Sequence, residues 1–409
     1  MRRAPIRDGR RVTAIAYLFS HGLGVSTVAL PLLAVAAGHS DAAVGVLVAC
    51  SAGAQISMRV VLAGLLHRFT ERAMLLTAAV LLIGSTAVVL VWDSVALFLL
   101  AMLLQGLARG FFWIGLQAQV VRTADDSLRP LARVDFVSGI GLVTGPAAIA
   151  VMGGSLPASL GLGVLLTALS LWPTLRLDAL PLFERRYGDV RISVWRRPGV
   201  TPALLAGIGT GTWRGLLSSY IPVVLIVADY SPATVGLLVG VATGATILGS
   251  LTAGLAGNRR PRAALVTAAV LTAVGLVGVS LTAHALPVVV VALVLSGLGA
   301  GTLQTLASAL AARAVEPRLR GSVVAQVGTY RAGALFGAPL AVAGLLSVVP
   351  LGTAMAIAGA LTALPALVRW PAGDAAAPQK TPFPPAVDPW VGPPARTEPP
   401  QIAPERGTP

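Results

Sequence analysis

Twelve apolar runs, each long enough to cross a bilayer, alternate with connections that are either basic or wholly free of basic residues. The hydrocarbon core needs about 20 mostly apolar helical residues. Runs of that kind lie near 12–37, 42–66, 73–91, 95–121, 133–152 and 156–175, then near 201–228, 234–256, 264–282, 287–312, 321–346 and 350–369. One set of connections carries Arg2 to Arg11, Arg68 and Arg72, Arg122 to Arg133, Arg176 to Arg197, Arg259 to Arg262 and Arg313 to Arg320. The alternate set, near 38–41, 92–94, 153–155, 229–233, 283–286 and 347–349, has no Arg or Lys. Basic residues stay on the cytoplasmic side, so both termini are expected there, and one helix more or fewer would scramble the pattern.

Charged residues make up 11% of the chain against 56% hydrophobic ones, and about 25% charged is usual for soluble domains. The net charge of +14 is placed by the loops against anionic lipid, which argues against nucleic acid. Cys50 is a lone cysteine and the four His residues are scattered, so no disulfide or metal site is expected. No nucleophile–base pair or phosphate loop emerges, so no enzyme and no ATP-driven pump is expected. The basic start leads into an apolar run too long for a signal core. Residues 1–11 read as a cytoplasmic N-terminus, 12–175 and 201–370 as two six-helix bundles, and 176–200 as a basic central loop. Part of that loop suits an interfacial helix as well as a plain linker. Residues 371–409 read as a Pro-rich disordered tail.

The two halves match at one offset. Pro31 aligns with Pro222 (222 − 31 = 191), and the same spacing pairs Ser40 with Ser231, Val44-Gly45 with Val235-Gly236, Gly53-Ala54 with Gly244-Ala245, Gly106-Leu107 with Gly297-Leu298 and Gly110 with Gly301. The expected fold is an all-α membrane protein of twelve transmembrane helices in two pseudo-symmetric six-helix halves. Parallel repeats about the membrane normal are the plan of one large class of secondary transporters.

The stretch R-V-V-L-A-G-L-L-H-R-F-T-E-R, Arg59 to Arg72, resembles the loop between helices two and three of the major facilitator superfamily, usually close to R-P-L-A-G-R-L-A-D-R-F-G-R-R. Arg59, Arg68 and Arg72 stand at matching places, with His67 for Asp and Thr70 for Gly. The resemblance covers about residues 12–370 and implies a conformational gate at this loop, a site between the halves, and drive by an ion or solute gradient without a cofactor. Gln105-Gly106 resembles the Gln-Gly of a second family motif whose Arg is replaced by Met102, while Arg109 lies seven residues on, on nearly the same helix face. Gly141-x-x-x-Gly145-Pro146 resembles the Gly-Pro motif of the family's exporters, which points to efflux. The repeated Gly spacings at Gly207-Gly211-Gly215 and Gly236-Gly240-Gly244 mean close helix packing.

Charges at mid-membrane are costly and face a cavity or a partner. His21, Arg109, Arg214 and Arg331 each sit far inside an apolar run. Polar and aromatic side chains accompany them: Tyr17 beside His21, Gln105, Trp113 and Gln117 on the stripe of Arg109, Trp213 beside Arg214, Gln304 on the tenth helix, and Tyr330 beside Arg331. Each doubles as a packing residue, and the cations have internal satisfaction by carbonyls or Asp135 as an alternative. Asp135 and Asp229 are the acids expected closest to the bilayer, and none lies at the depth of the cations. The expected protein is a monomeric, multi-pass carrier of small solutes, anionic or neutral with strong acceptors, in a bacterial plasma membrane. The alternative is a transport-inactive sensor or scaffold on the same fold. The topology is tested with an impermeant thiol reagent on intact cells: cysteines replacing Asp93 or His284 should be labelled from outside, and cysteines replacing Arg68 or Arg260 should not.

Overall fold

Because no water reaches the hydrocarbon region, every backbone polar group there is satisfied within its own helix, and the chain is helical throughout its apolar runs. The computed structural model describes residues 5–65, 68–91, 94–123, 128–178, 180, 182, 200–256, 260–315 and 320–368. The central loop beyond these residues, His67 and the tail from 371 lie outside them.

The first half comprises α1 (Pro5–Ala36), α2 (Asp41–Leu65), α3 (Glu71–Val91), α4 (Val95–Thr123), α5 (Leu128–Val151) and α6 (Leu156–Leu175). The second comprises α7 (Val200–Ser218) with α8 (Tyr220–Val227), α9 (Pro232–Ala256), α10 (Pro261–Leu281), α11 (Leu286–Arg313), α12 (Arg320–Leu345), and α13 (Leu351–Ala360) followed by α14 (Leu364–Leu367). Among the described residues nine helices are long and apolar enough to cross a membrane. The rest of the expected pattern is met by α7 with α8, by α12, and by the short apolar helices of 351–367.

The repeat is visible in three dimensions. A Cβ on Gly106 would run into the Ser51 carbonyl and the Ala54 Cβ, and a Cβ on Gly297 would run into the Ala242 carbonyl and the Ala245 Cβ. Those pairs stand at the same offset (297 − 106 = 191, 242 − 51 = 191). The outer end of the first crossing is closed by bonds from Gly38 N to Val35 O (2.9 Å) and His39 N to Ala34 O (3.1 Å). The second half repeats them with Asp229 N to Ile226 O (3.0 Å) and Tyr230 N to Leu225 O (3.1 Å). Both turns are left-handed, with φ 83° at Gly38 and 65° at Asp229, as this helix stop requires. Asp229 is therefore a capping residue that tolerates positive φ, not a membrane charge.

Helix adjacency obeys the same two-fold. α1 lies on α5 as α7 lies on α12, and α3 on α4 as α10 on α11. The halves meet where α5 packs on α9 and α2 on α12. Small residues permit this: Gly236 faces the Pro146 carbonyl, Gly240 the Val143 carbonyl, and Gly53 the Phe336 ring. Along α5 and α9 the approaches run from Gly154 against Ala233 to Gly139 against Ile247, about half-way along both helices.

The apolar cores show the consequence. At the end bearing the Arg-free loops, one core joins both halves: Leu30, Val44, Phe98 and Ile149 with Trp213, Tyr220, Leu238, Leu293 and Met355. At the Arg-bearing end there are two cores. One is built from α1, α3 and α4 (Phe19, Met74, Phe112, Leu116) and the other from α7, α10, α11 and α12 (Leu204, Leu265, Leu303, Val327). Among the described residues the two halves form a V, sharing one apolar core at the outer end and holding separate cores at the end that the charge rule places inside.

Near that inner end the sequence reading needs a correction. Glu71 is 1% exposed and pairs with Arg122, so α3 and α4 are clasped by a buried carboxylate that the acid inventory omitted. Removing one partner of a buried pair typically costs about 3 kcal/mol or more. Glu71→Ala should therefore lower the thermal unfolding temperature of the purified protein markedly. A Glu71→Leu/Arg122→Leu double variant should recover most of that loss, since it leaves no buried charge unpaired.

Candidate functional site

The apex of the V lies near mid-membrane. Arg109 is the fifteenth residue of α4 and Arg214 the fifteenth of α7, each about 20 Å from a helix end at 1.5 Å per residue. Both side chains are half-buried. They belong to different halves. Arg109 donates from Nη2 to Thr27 Oγ1 (2.9 Å), and its Nε has no partner. No carboxylate pairs with either Arg among the described residues.

A cavity of about 10 Å³, room for a single water, opens beside Arg109 between Thr27 and Pro31 of α1, Ser51 of α2, Gln105 of α4, Ser218 of α7 and Leu335 of α12. Thr27 and Ser218 are repeat partners (218 − 27 = 191) on opposite walls. Each stands four residues before a proline, Pro31 or Pro222, which has no N–H to return to its carbonyl. In the second half the helix breaks between α7 and α8 at Ser219. Gln105 is held on both sides: Nε2 donates to Ser26 Oγ (2.9 Å) and Oε1 accepts from Ser51 Oγ (3.2 Å). It ties α1, α2 and α4 together and positions the wall rather than offering itself to a ligand.

The other expected site residues divide. Arg331 and Gln304 line a second cavity of about 70 Å³ with Thr210, Ser308 and Gly328, built by α7, α11 and α12 alone. They do not share the cavity of Arg109. His21 is buried, with Nδ1 2.9 Å from Thr144 Oγ1 of α5. Tyr17 lies over it at 6.0 Å between ring centroids. Trp113 packs edge-on against Phe112, and Trp213 is 1% exposed with Nε1 unpartnered. Gln117 is exposed and Tyr330 half-buried, the latter packed on the inner core of the second half. The hydroxyls of Ser26, Thr27, Ser51 and Ser218 were missed from sequence, because Ser and Thr inside apolar helices are common; their one signal was the repeat pairing of Thr27 with Ser218.

Of the expected gate residues, Gly141 and Gly145 bring α5 against the backbone of α1 at Tyr17, His21 and Val25, while Pro146 turns its carbonyl toward Gly236 across the interface. Arg68 is exposed and Arg72 half-buried. The side chain of Arg59 and the whole of His67 lie outside the described residues. The outer closure holds a contact that sequence reading did not anticipate. Tyr220 is fully buried, and its ring and hydroxyl occupy the space that a Cβ on Gly45 would need.

Residues 203–400 match the family model of the Major Facilitator Superfamily. The described fold agrees with solved members over nearly the whole chain. A crystal structure of a mutant of the nucleoside transporter NupG superposes with a TM-score of 0.74 at 12% identity, covering 88% of this chain and 98% of that one. The second half of the chain is thus similar to the major facilitator superfamily, and the described residues share its fold. A bacterial homologue of the human lysosomal transporter Spinster, inward-facing and unoccupied, superposes on this chain with a TM-score of 0.65 at 14% identity, covering 89% and 95%. No curated protein matches the sequence significantly.

The outer closure is testable by a double-mutant cycle. Gly45→Ala overfills the Tyr220 contact, and overpacking costs about 1–3 kcal/mol. Its melting temperature should drop in the parent and much less in a Tyr220→Ala background, because the two residues share one space. Equal drops in both backgrounds would show that they act independently.

Proposed function

We propose that this protein is a secondary transporter that carries a small organic anion, or a neutral solute rich in hydrogen-bond acceptors, by alternating access. The observation that carries this reading is the placement of Arg109 on α4 and Arg214 on α7, in opposite halves and each deep inside an apolar helix, without a carboxylate paired to either among the described residues. In a site of low dielectric, cations placed this way repel a cationic solute and attract an anion. A carboxylate or phosphate accepts two guanidinium donors in a fork. Rocking about the outer core would expose the apex to each side in turn.

The direction we propose is efflux, on the Gly141–Pro146 motif, with a gradient as the driving force. The protein acts as a monomer in a bacterial plasma membrane, with lipid and solute as its partners and neither nucleic acid nor catalysis involved. The solutes of NupG and of the Spinster homologue are no guide at this identity. A scaffold without transport is the second reading, favoured by the departures at His67 and Thr70.

Flux in proteoliposomes separates these readings. Anionic solutes should move faster than cationic ones of similar size. Arg109→Ala and Arg214→Ala should abolish movement, and Lys at either position should restore only part of it, because the fork is lost. Normal flux in both Ala variants, or a preference for cations, would sink the anion site. No flux of any solute in the parent would favour the scaffold.

A further inference from the structure

The cavity of about 70 Å³ between α7, α11 and α12 is a place where the repeat fails in a concerted way. Its residues Thr210, Gln304, Gly328 and Arg331 answer to Phe19, Trp113, Val137 and Ile140 of the first half (210 − 191 = 19, 304 − 191 = 113, 328 − 191 = 137, 331 − 191 = 140). The first half fills this region with rings. Phe19 stacks on Phe112 with centroids 3.9 Å apart, and Phe112 meets Trp113 edge-on at 5.2 Å. The second half has Thr210, Leu303 and Gln304 in their places, and a hollow results. Gly328 keeps it open: a Cβ there would meet no atom within 4 Å.

The polar groups around the hollow are mostly donors. Gln304 is exposed and Thr210 buried, so the cavity runs from a mouth at Gln304 to a floor at Thr210, whose hydroxyl donates to the Gly207 carbonyl (2.9 Å). Neither the Gln304 amide nor the Ser308 hydroxyl bonds to a described residue. A guanidinium has five N–H donors, so Arg331 can serve its neighbours and the cavity together. It stands 11 residues into α12, about 17 Å from the inner helix end, at a depth where a cation needs compensation. The three helices that build the cavity contain no Asp or Glu. The volume has room for a few waters or one small anion, and is well below the ~300 Å³ at which sites for drug-sized solutes begin.

We propose that this cavity is a second binding site, for a small oxyanion such as a monocarboxylate or an inorganic oxyanion, held by Arg331, Gln304 and Ser308. It does not rest on the anion reading of the apex. All three walls belong to one half, so rocking of the halves leaves the site assembled. An anion bound equally well in both conformations does not shift their balance. It is a resident group that compensates Arg331 and stabilises the folded second half by mass action.

Thermal unfolding of the purified full-length protein, followed by tryptophan fluorescence, reads the site directly. Sodium acetate, nitrate or phosphate replaces sodium gluconate at constant ionic strength, gluconate being too large for the cavity. At least one of the three should raise the melting temperature by a few degrees along a saturating curve. Arg331→Gln should remove the rise. Gly328→Leu should remove it too, because it fills the open space and leaves the charge in place. Gln304→Ala should raise the half-saturating concentration about tenfold. An Arg109→Gln/Arg214→Gln variant should keep the rise of the parent. No rise with any of the three anions overturns the site, as does a rise that survives in whichever of Arg331→Gln and Gly328→Leu folds. A rise lost only in the Arg109→Gln/Arg214→Gln variant would assign the anion to the apex and overturn this site as well. These outcomes are separate from those of the apex reading, which is judged by flux.

Discussion

The V depends on the contact of α5 with α9 and of α2 with α12, because these are the crossings that hold one half to the other. Both are built on missing side chains. Gly236 and Gly240 let α9 reach the carbonyls of α5, and Gly53 makes room for Phe336 of α12. In a bilayer the lipid is as apolar as the helices, so association comes from close packing rather than from expulsion of water. A seam of small residues that ends half-way along α5 and α9 leaves the outer ends joined and the inner ends free. The single outer core and the two inner cores follow from where that seam stops.

The same seam explains what the Gly-Pro motif of α5 does physically. Gly141 and Gly145 press α5 onto α1 within the first half, while Pro146 and Val143 present carbonyls to the Gly stripe of α9 in the second. One helix is thus shared by the packing of its own half and by the joint between halves. His21 and Thr144 lie in this contact, and His21 is not among the residues lining the water-sized cavity at Arg109.

Architecture was legible in the sequence because it is written in repeated, strongly constrained residues. The 191-residue offset and the Gly spacings both reappear as geometry, down to Gly106 and Gly297 meeting equivalent atoms of their neighbours. The site was legible only in part. Mid-membrane Arg residues stand out by cost, so Arg109 and Arg214 were singled out. Arg331 stands out in the same way yet lines another cavity, because depth along a helix says nothing of which cavity its face lines. Small hydroxyls carry little cost in a helix, where they bond to the preceding turn, so Ser26, Thr27 and Ser51 gave no signal until α1, α2 and α4 were brought together. Glu71 was overlooked because it sits in a stretch read as loop, and burial there depends on Arg122, 51 residues away.

The apex also shows how the repeat has been made asymmetric where function needs it. The position equivalent to Arg109 in the second half is Ala300, and the one equivalent to Arg214 in the first is Leu23 (109 + 191 = 300, 214 − 191 = 23). The two cations therefore break the repeat: they stand on non-equivalent helices, each the fifteenth residue of its own. Around them the symmetric part survives as Thr27 and Ser218, with their prolines one turn on. On the first half's wall Gln105 is saturated by Ser26 and Ser51, so it contributes rigidity there. What remains unsatisfied is donor capacity: Nε of Arg109 and the guanidinium of Arg214. On the proposed reading, a site whose neutral amide is spoken for and whose free groups are donors would select by charge and acceptor strength rather than by shape.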